Sequence, residues 1–269
     1  MLKAMICALA LAAPPLAAAD LTPQQLALLA GADIVILGED HDNPHHHEGQ
    51  GALLRRIAPA AVVFEMLTPE MARRVTDRGD MPLAALGEAI GWEAAGWPPI
   101  TLYAPVFEAL GDRPVIGAAL PRGEVRRAFE EGAAAVFGTD APSFGLDQPL
   151  PPAEQAAREE MQFEVHCQAM PREMMGGMVE AQRLRDAYFA RATLAALDRH
   201  GAPVAVITGN GHARRDWGMP ASLARAAPQV TVVSVGFAAA QPAAGEAVYD
   251  ITLLAPPVER DDPCAAFDR

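Results

Sequence analysis

Five short apolar runs, separated by helical segments, constrain the fold of this 269-residue chain most strongly. They lie at residues 33–37, 61–64, 114–119, 203–208 and 230–235. Most of them carry Val and Ile without strict alternation, which is typical of strands covered on both faces of a sheet. A last run at residues 248–254 is predicted to form an edge strand.

The spacing between these runs indicates the fold class. Helical segments are predicted at residues 52–57, 122–136 and 219–226. Alternating strands and helices favour an α/β fold with a mostly parallel sheet, right-handed crossovers and flanking helices. Two longer helical segments, 68–111 and 139–201, are predicted to lie across the top of the sheet as a small helical cap subdomain. In open α/β sheets ligands bind beyond the carboxyl ends of the strands, so this cap would cover the ligand site.

The first 19 residues have the pattern of a secretory leader. Lys3 supplies a positive charge, residues 5–11 form a short apolar core, and residues 16–19 form a small-residue cleavage site. The apolar stretch is too short and too interrupted by proline to span a bilayer. We therefore expect a cleaved signal peptide, a periplasmic location without a membrane anchor, and a single domain over residues 20–269.

Composition restricts the function classes. Apolar residues make up 51% of the chain and charged residues 20%, so a full core can be buried. The net charge of −13 argues against nucleic-acid binding, which needs basic clusters, and against anionic membrane surfaces. A small ligand held in a local pocket remains compatible with this charge.

The predicted mature chain contains two cysteines, Cys167 and Cys264. They could pair in an oxidising compartment, or remain as two unpaired thiols. The sequence contains no Cys-x-x-Cys-His motif, which excludes covalent haem attachment through that motif.

Two strand ends share the same turn. The segments Val35-Ile-Leu-Gly-Glu-Asp-His41 and Val206-Ile-Thr-Gly-Asn-Gly-His212 each end a strand at a glycine that is followed three residues later by histidine. Both imidazoles are therefore expected at one edge of the sheet, where Glu39 and Glu65 add carboxylates. This set could bind a metal ion or arrange a water molecule for general-base hydrolysis.

A histidine run follows the first turn. Asn43 and Pro44 form a good helix start, a cap followed by a first-turn proline, which places residues 45–47 in the first helical turn. A protonated imidazole is disfavoured at a helix N-terminus, so these rings are expected to be neutral. His46 is on this basis a candidate metal ligand beside His41, although a solvated helix start explains at least one of the three rings.

A methionine-rich helical segment is predicted over residues 161–178, where it contains His166, Cys167 and five methionines including Met174. Methionine on a helix is usually adaptable core filler. At this density, a soft apolar wall beside one imidazole would also suit a large flat hydrophobic ligand.

Two further residues are candidate ligand contacts. Tyr103 could bind haem iron through its phenolate oxygen, although the sequence alone slightly favours a half-buried packing role. Arg214 could clamp a carboxylate such as a propionate, and the simpler alternative is a charge pair with Asp216.

Several motifs resemble one known family in order and spacing. The segment Gly38-Glu-Asp-His-Asp-Asn-Pro-His-His-His47 resembles the opening motif of the ChaN-like haem-binding proteins of the Tiki superfamily. Further matching segments begin at Val62, Leu120, His166, Met178 and Gly209, and together they cover most of residues 31–220.

The resemblance implies an exported bacterial haem-binding protein in iron uptake. It implies non-covalent haem and possible sharing of the ligand across a homodimer. The candidate cofactor contacts chosen from the residues are Tyr103, His166, Met174 and Arg214; the family's haem-ligating tyrosine has no matching position here, so Tyr103 is a candidate only. The leader lacks the lipobox that some relatives carry, which departs from the family pattern.

The same superfamily includes proteases and esterase-like hydrolases. These are similar around Glu39, His41, Glu65 and His212, so a hydrolase with or without a divalent metal is the rival hypothesis. Its metal ligands would be His41, His46, Glu65 and His212. The third hypothesis is a scaffold with a degenerate site, which neither binds a ligand nor turns one over.

Overall fold

The computed structural model describes residues 21–243, 245–262 and 264–265 and contains one parallel sheet. The predicted leader, residues 1–19, lies outside the described residues. Six strands form the sheet: β1 Ile34–Leu37, β2 Ala61–Phe64, β3 Val115–Gly117, β4 Val204–Ile207, β5 Val232–Ala238 and β6 Ile251–Leu254.

The strand order is β3-β2-β4-β1-β5-β6, and every neighbouring pair is parallel. The predicted α/β fold with a mostly parallel sheet is confirmed, and β6 lies at one edge as expected. Because β4 lies between β1 and β2, the carboxyl ends of these three strands meet at the centre of the sheet.

Helices cover both faces of the sheet. All four residues of β1 are fully buried, and they alternate between two cores: Val35 and Leu37 pack in one, Ile34 and Ile36 in the other. This two-sided burial explains why the strands show no polar alternation in the sequence.

Eleven α-helices are formed by the described residues: α1 Pro23–Ala30, α2 Pro44–Ile57, α3 Pro69–Thr76, α4 Leu83–Ile90, α5 Ala104–Leu110, α6 Arg122–Glu131, α7 Ala133–Phe137, α8 Pro152–Val165, α9 Met175–His200, α10 Asn210–Ala213 and α11 Met219–Ala226. The helix predicted over residues 219–226 agrees with α11. The helix predicted over residues 122–136 is broken between α6 and α7, where Gly132 has a φ of 91°.

The methionine-rich segment 161–178 is not one continuous helix, which corrects the sequence prediction. Helix α8 ends at Val165, and Cys167 and Gln168 both have positive φ angles, of 59° and 54°. Helix α9 then starts at Met175, after a short 3₁₀ turn. The methionines predicted to share one helix therefore belong to two helices and the turn between them.

The two segments predicted as a cap contribute to both the cores and the site. Residues 68–111 place Trp92, Tyr103 and Phe107 in the core that contains Val35. In the segment 139–201, Leu184 and Phe189 of α9 pack in the opposite core. Both segments also send side chains to the carboxyl edge of the sheet.

A disulfide joins Cys167 to Cys264 and so resolves the alternative left open by the sequence. It ties the turn after α8 to the chain that follows β6. The same C-terminal stretch is held by Arg260, whose guanidinium donates to Asp42 at 2.6 and 2.7 Å. Two distant parts of the chain are thereby fixed beside the loop that follows β1.

No helix within the described ranges combines the length and the apolar character needed to cross a membrane.

The disulfide yields a stability prediction. The bonded cysteines are 97 residues apart, so the bond strongly restricts the unfolded chain. We expect Cys264→Ser to lower the free energy of unfolding by about 2 to 4 kcal/mol, measured by urea denaturation. The double variant Cys167→Ser/Cys264→Ser is the control and should not respond to a reductant. A wild-type protein that is equally stable with and without reductant would contradict this role.

Candidate functional site

The candidate site lies where β1, β2 and β4 end. Glu39 and His41 follow β1, Glu65 follows β2, and His212 lies on α10, which begins three residues after β4. Since these strands are neighbours, their carboxyl ends bring the four side chains together. The convergence expected from the repeated turn is therefore observed.

The two Gly-x-x-His turns interlock through their glycines. A Cβ atom on Gly38 would lie 2.5 Å from Oδ1 of Asn210, and one on Gly209 would lie 3.0 Å from Nε2 of His41. Each glycine leaves space for a side chain of the opposite turn. Close approach, rather than a positive φ, therefore explains why both turns carry glycine.

Glu39 is a buried carboxylate at the centre of a hydrogen-bond network. Its Oε1 accepts from the Tyr103 hydroxyl at 2.6 Å and pairs with Nδ1 of His41 at 2.7 Å. Burial alone would raise the pKa of Glu39, but the contacts with His41 and His47 outweigh it and lower this pKa to about 2. Glu39 is therefore ionised at neutral pH.

His41 is the half-exposed partner of this carboxylate, with 30% of its side chain accessible. Burial acts to lower its pKa, but Glu39, Glu65 and Asp40 raise it to about 9. Its Nε2 lies 4.0 Å from Oε1 of Glu65, and its ring packs against Trp97 with centroids 4.9 Å apart. His41 thus links the buried Glu39 to the second carboxylate.

His47 packs beside Glu39 and is held in place by its own hydrogen-bond partners. Gln50 donates to the carbonyls of Leu37 and Gly38, which fixes its amide so that Oε1 faces Nδ1 of His47 at 3.2 Å. Nε2 of His47 faces the carbonyl of His41 at 3.1 Å. Both ring nitrogens thus face acceptors, so only the doubly protonated ring donates to both.

The second oxygen of Glu39 differs from the first. Oε2 lies 3.2 Å from Nδ1 of His47, which is within ion-pair distance. That nitrogen, however, points at Oε1 of Gln50. Oε2 of Glu39 therefore has no hydrogen bond from the described residues. His47, beside this oxygen, contributes to the lowered pKa of Glu39.

Glu65 and His212 form the other half of the site. Oε2 of Glu65 accepts from the Thr208 hydroxyl at 2.6 Å and from the Gly209 amide at 2.8 Å, while Oε1 lies 3.5 Å from Nε2 of His212. Burial opposes ionisation of Glu65, but the charges of His212 and His41 lower its pKa. The carboxylate is held by both turns at once.

His212 is oriented by a residue on the long helix α9. Its Nδ1 lies 2.6 Å from Oδ1 of Asp186, and the amide nitrogen of Gln182 is 2.9 Å from the same ring nitrogen. Burial acts to lower the pKa of His212, but Glu65 and Asp186 raise it. Burial raises the pKa of Asp186 itself.

Together these contacts form an alternating row of carboxylates and imidazoles, in the order Glu39, His41, Glu65, His212 and Asp186. Each imidazole has one nitrogen on a buried carboxylate and the other directed towards Glu65. Such an arrangement can hold or transfer a proton between neighbouring groups.

The predicted metal set is not assembled as one centre. Nδ1 of His46 accepts from the backbone amide of Asp40 at 2.8 Å, and its ring stacks on Phe237. No group of three or more His, Cys, Asp or Glu side chains in the described parts of the chain is arranged to hold a metal ion. The divalent metal therefore has no support from this geometry.

The helix start predicted at Asn43 and Pro44 is observed. Asn43 caps α2 by accepting from the His45 amide at 3.0 Å. The expectation that the rings of residues 45–47 are available as ligands fails for His47, which is buried with its two ring nitrogens occupied by Gln50 and the carbonyl of His41.

The four predicted cofactor contacts occupy different surroundings. Tyr103 is fully buried, and burial and the adjacent Glu39 raise its pKa well above the ordinary value, which disfavours the phenolate form. Nδ1 of His166 lies 2.8 Å from the carbonyl of Gln162 at the end of α8. Met174 is half-buried in the 3₁₀ turn before α9.

Arg214 is already paired. It donates to Asp216 at 2.6 and 3.0 Å and stacks on Trp217, with its guanidinium carbon 4.0 Å from the ring centroid. The simpler alternative that the sequence offered, a charge pair with Asp216, is therefore observed.

A cleft of about 380 Å³ opens beside Glu65. Its apolar walls come from both predicted cap segments and from the ends of β2 and β3: Met66, Met71, Trp97, Leu120, Pro121 and Phe189. Arg122 and Arg185 also line it. The cleft is thus apolar in its walls, with two guanidinium groups and one carboxylate.

Sequence reasoning missed Asp186, Gln182 and the methionines that line the cleft. Asp186 lies at the end of the motif that begins at Met178, and a carboxylate in an alanine-rich helix was the available signal. Met66 follows β2 and Met71 lies on α3, whereas the predicted methionine wall was placed on residues 161–178.

Comparison with known proteins identifies the family. A family model described as haem-binding uptake, Tiki superfamily, ChaN matches residues 25–223, which is most of the chain. The chain belongs to this family. No curated protein matches the sequence significantly.

A solved structure shows the same fold as this ChaN-family chain. A structure of ChaN of Campylobacter jejuni, which describes cofacial heme binding, aligns with a TM-score of 0.64 at 19% identity and covers 86% of this chain and 90% of that one. An erythromycin esterase in its open conformation aligns with a TM-score of 0.48 at 13% identity and covers 78% and 71%. The second likeness is too distant to carry an argument.

The contact between Glu39 and His41 predicts a pH dependence. The folded pKa of His41, about 9, exceeds its ordinary 6.5, so the contribution to stability is full below pH 6.5 and is lost as pH rises through 9. The lowered pKa of Glu39 gives a contribution present above pH 4.5 and lost as pH falls towards 2.

Urea denaturation between pH 6 and 10 measures this effect. We expect the wild-type protein to lose stability from pH 7 to 9.5, and Glu39→Gln to lose less over the same interval because His41 has lost its main partner. Glu48→Gln, which removes a half-exposed carboxylate on α2, is the control. Identical pH profiles for Glu39→Gln and the wild type would contradict the assignment.

Proposed function

We propose that this protein binds haem non-covalently in the cleft beside Glu65. The observation that carries the proposal is a cleft with apolar walls and basic groups at the functional edge of the sheet, in a chain that belongs to the ChaN family. Ligand sites are typically concave and mostly apolar, with a few polar groups that fix orientation.

The residues present fit a porphyrin. Trp97 and Met71 are partly exposed and offer aromatic and adaptable apolar surface to a flat ring, and the buried side chains of Phe189 and Met66 back the wall behind them. When bound, haem would supply an iron centre that takes axial ligands from the protein.

His41 is our candidate iron ligand. It packs against Trp97 of the cleft, is partly exposed, and has its Nδ1 on Glu39, the type of outer contact that fixes a ligating imidazole. Tyr103 would first have to leave Glu39 and ionise, whereas His41, with its pKa raised to about 9, would have to release only the proton on Nε2, which faces Glu65. The roles predicted for Tyr103, His166 and Met174 remain predictions.

We further propose that the protein is exported to the periplasm and takes part in haem or iron uptake. The disulfide between Cys167 and Cys264 supports an oxidising compartment, since such bonds are rare in the cytosol. The leader-like pattern of residues 1–19 supports export. A homodimer that shares the ligand stays a prediction, and light scattering with and without haem tests it.

A haem titration of the purified protein tests the binding proposal. We expect a saturable Soret shift at micromolar haem. His41→Ala should shift the band and weaken binding by about tenfold, as loss of one axial or orienting contact would. Tyr103→Phe and His166→Ala should leave the band in place, and His200→Ala on the far end of α9 is the control.

Two outcomes would contradict parts of this account. A wild-type protein without a saturable shift would exclude haem binding. A band that changes in Tyr103→Phe or His166→Ala, but not in His41→Ala, would move the iron ligand to the residues that the sequence suggested.

A hydrolase is the second candidate, favoured by the row of carboxylates and imidazoles. His212 lies between Asp186 and Glu65, which is the geometry of an oriented general base. Glu39 and His41 repeat the arrangement on the other side of Glu65.

Turnover of a carboxylic ester and peptide panel tests this candidate. If the protein is a hydrolase, His212→Ala should reduce kcat by at least about 100-fold, the lower range for loss of a general base. His200→Ala should leave the rate unchanged. Absence of turnover in the wild type, or equal rates in both variants, would remove this candidate.

A further inference from the structure

Two arginines without acidic partners lie in the same cleft. The chain has 34 acidic and 21 basic residues, and some other arginines of the described residues, such as Arg55, also form no ion pair; Arg122 and Arg185 differ in that both line the cleft. Neither Arg122 nor Arg185 forms an ion pair with any described carboxylate. Other arginines of the described chain do form such pairs: Arg74, Arg126, Arg127, Arg158, Arg172, Arg183, Arg214, Arg215 and Arg260.

The guanidinium groups of Arg122 and Arg185 retain free hydrogen-bond donors. Nη2 of Arg122 donates to the carbonyl of Ala95 at 2.8 Å, which holds the side chain across to the turn beside Trp97. Arg185 forms no hydrogen bond with the residues that the structure describes. Since a guanidinium has five N–H donors, both side chains can still bind an anionic group.

The helix that carries Arg122 adds to the positive potential. Helix α6 begins at Arg122, and its N-cap residue Pro121 provides no side-chain hydrogen bond. The unpaired backbone N–H groups of a first helical turn favour negative charge. Leu120 and Pro121 line the cleft at the same place.

Glu65 does not neutralise these arginines, although it lines the same cleft. Its oxygens face Thr208, Gly209, His212 and His41, which satisfy the carboxylate from the opposite side. The cleft therefore combines apolar side chains with two solvent-exposed guanidinium groups that form no ion pair with the described residues.

We propose that Arg122 and Arg185 bind carboxylates of the ligand and so select an apolar molecule that carries acidic groups. The proposal rests on the haem-binding function and assigns the haem propionates to this pair. Arg214, the residue first expected in this role, is occupied by Asp216 and Trp217. Bidentate contacts between guanidinium and carboxylate supply both affinity and orientation.

The comparison of haem with haem dimethyl ester tests the proposal, because the ester keeps the ring and the iron but has no carboxylates. We expect the wild-type protein to bind haem at least about tenfold more tightly than the ester. Arg122→Ala and Arg185→Ala should each lose about tenfold for haem and little for the ester. Arg55→Ala, an exposed arginine on α2, is the matched control.

The outcomes separate this proposal from the function on which it rests. Equal affinities of the wild type for haem and for the ester would overturn the role of the arginines and leave haem binding intact. Failure of both ligands to bind would overturn haem binding, and the arginine assignment with it. The wild-type comparison needs no variant, so the folding of a variant cannot obscure the result.

Discussion

The buried carboxylate of Glu39 is the constraint on which the site depends. A charge without solvent is costly unless it is compensated, and here the compensation comes from three different elements. Tyr103 approaches from the segment before α5, His41 from the loop after β1, and His47 from the first turn of α2. Packing these elements around one carboxylate fixes the loop that carries His41.

The second half of the site, at the end of β4, has the same arrangement of a buried carboxylate paired with an imidazole. Asp186 on α9 holds His212, as Glu39 holds His41, and Glu65 lies between the two imidazoles. The interlocked glycines Gly38 and Gly209 allow the turns to approach so closely. The fold thus places a charged row beside an apolar cleft, an arrangement that serves ligand orientation or proton transfer.

Much of this could be predicted from local sequence. The apolar runs located the strands, and the repeated glycine and histidine spacing located the edge where Glu39 and His212 meet. Asp186 ends a motif that the sequence shows, but its pairing with His212 was not predicted, because 26 residues separate the two and the buried face of α9 depends on packing. The same holds for Arg122 and Arg185, whose shared cleft exists only once α6 and α9 are packed on the sheet. The break after Val165 was missed because two non-glycine residues adopt positive φ angles there.

The central claim is that one cleft receives the porphyrin face and its acidic groups together. A crystal structure of the protein with bound haem tests it most directly. The account predicts the ring in this cleft against Trp97, with its propionates on Arg122 and Arg185. Haem bound away from this cleft, or in it with its propionates directed away from both arginines, would contradict the account.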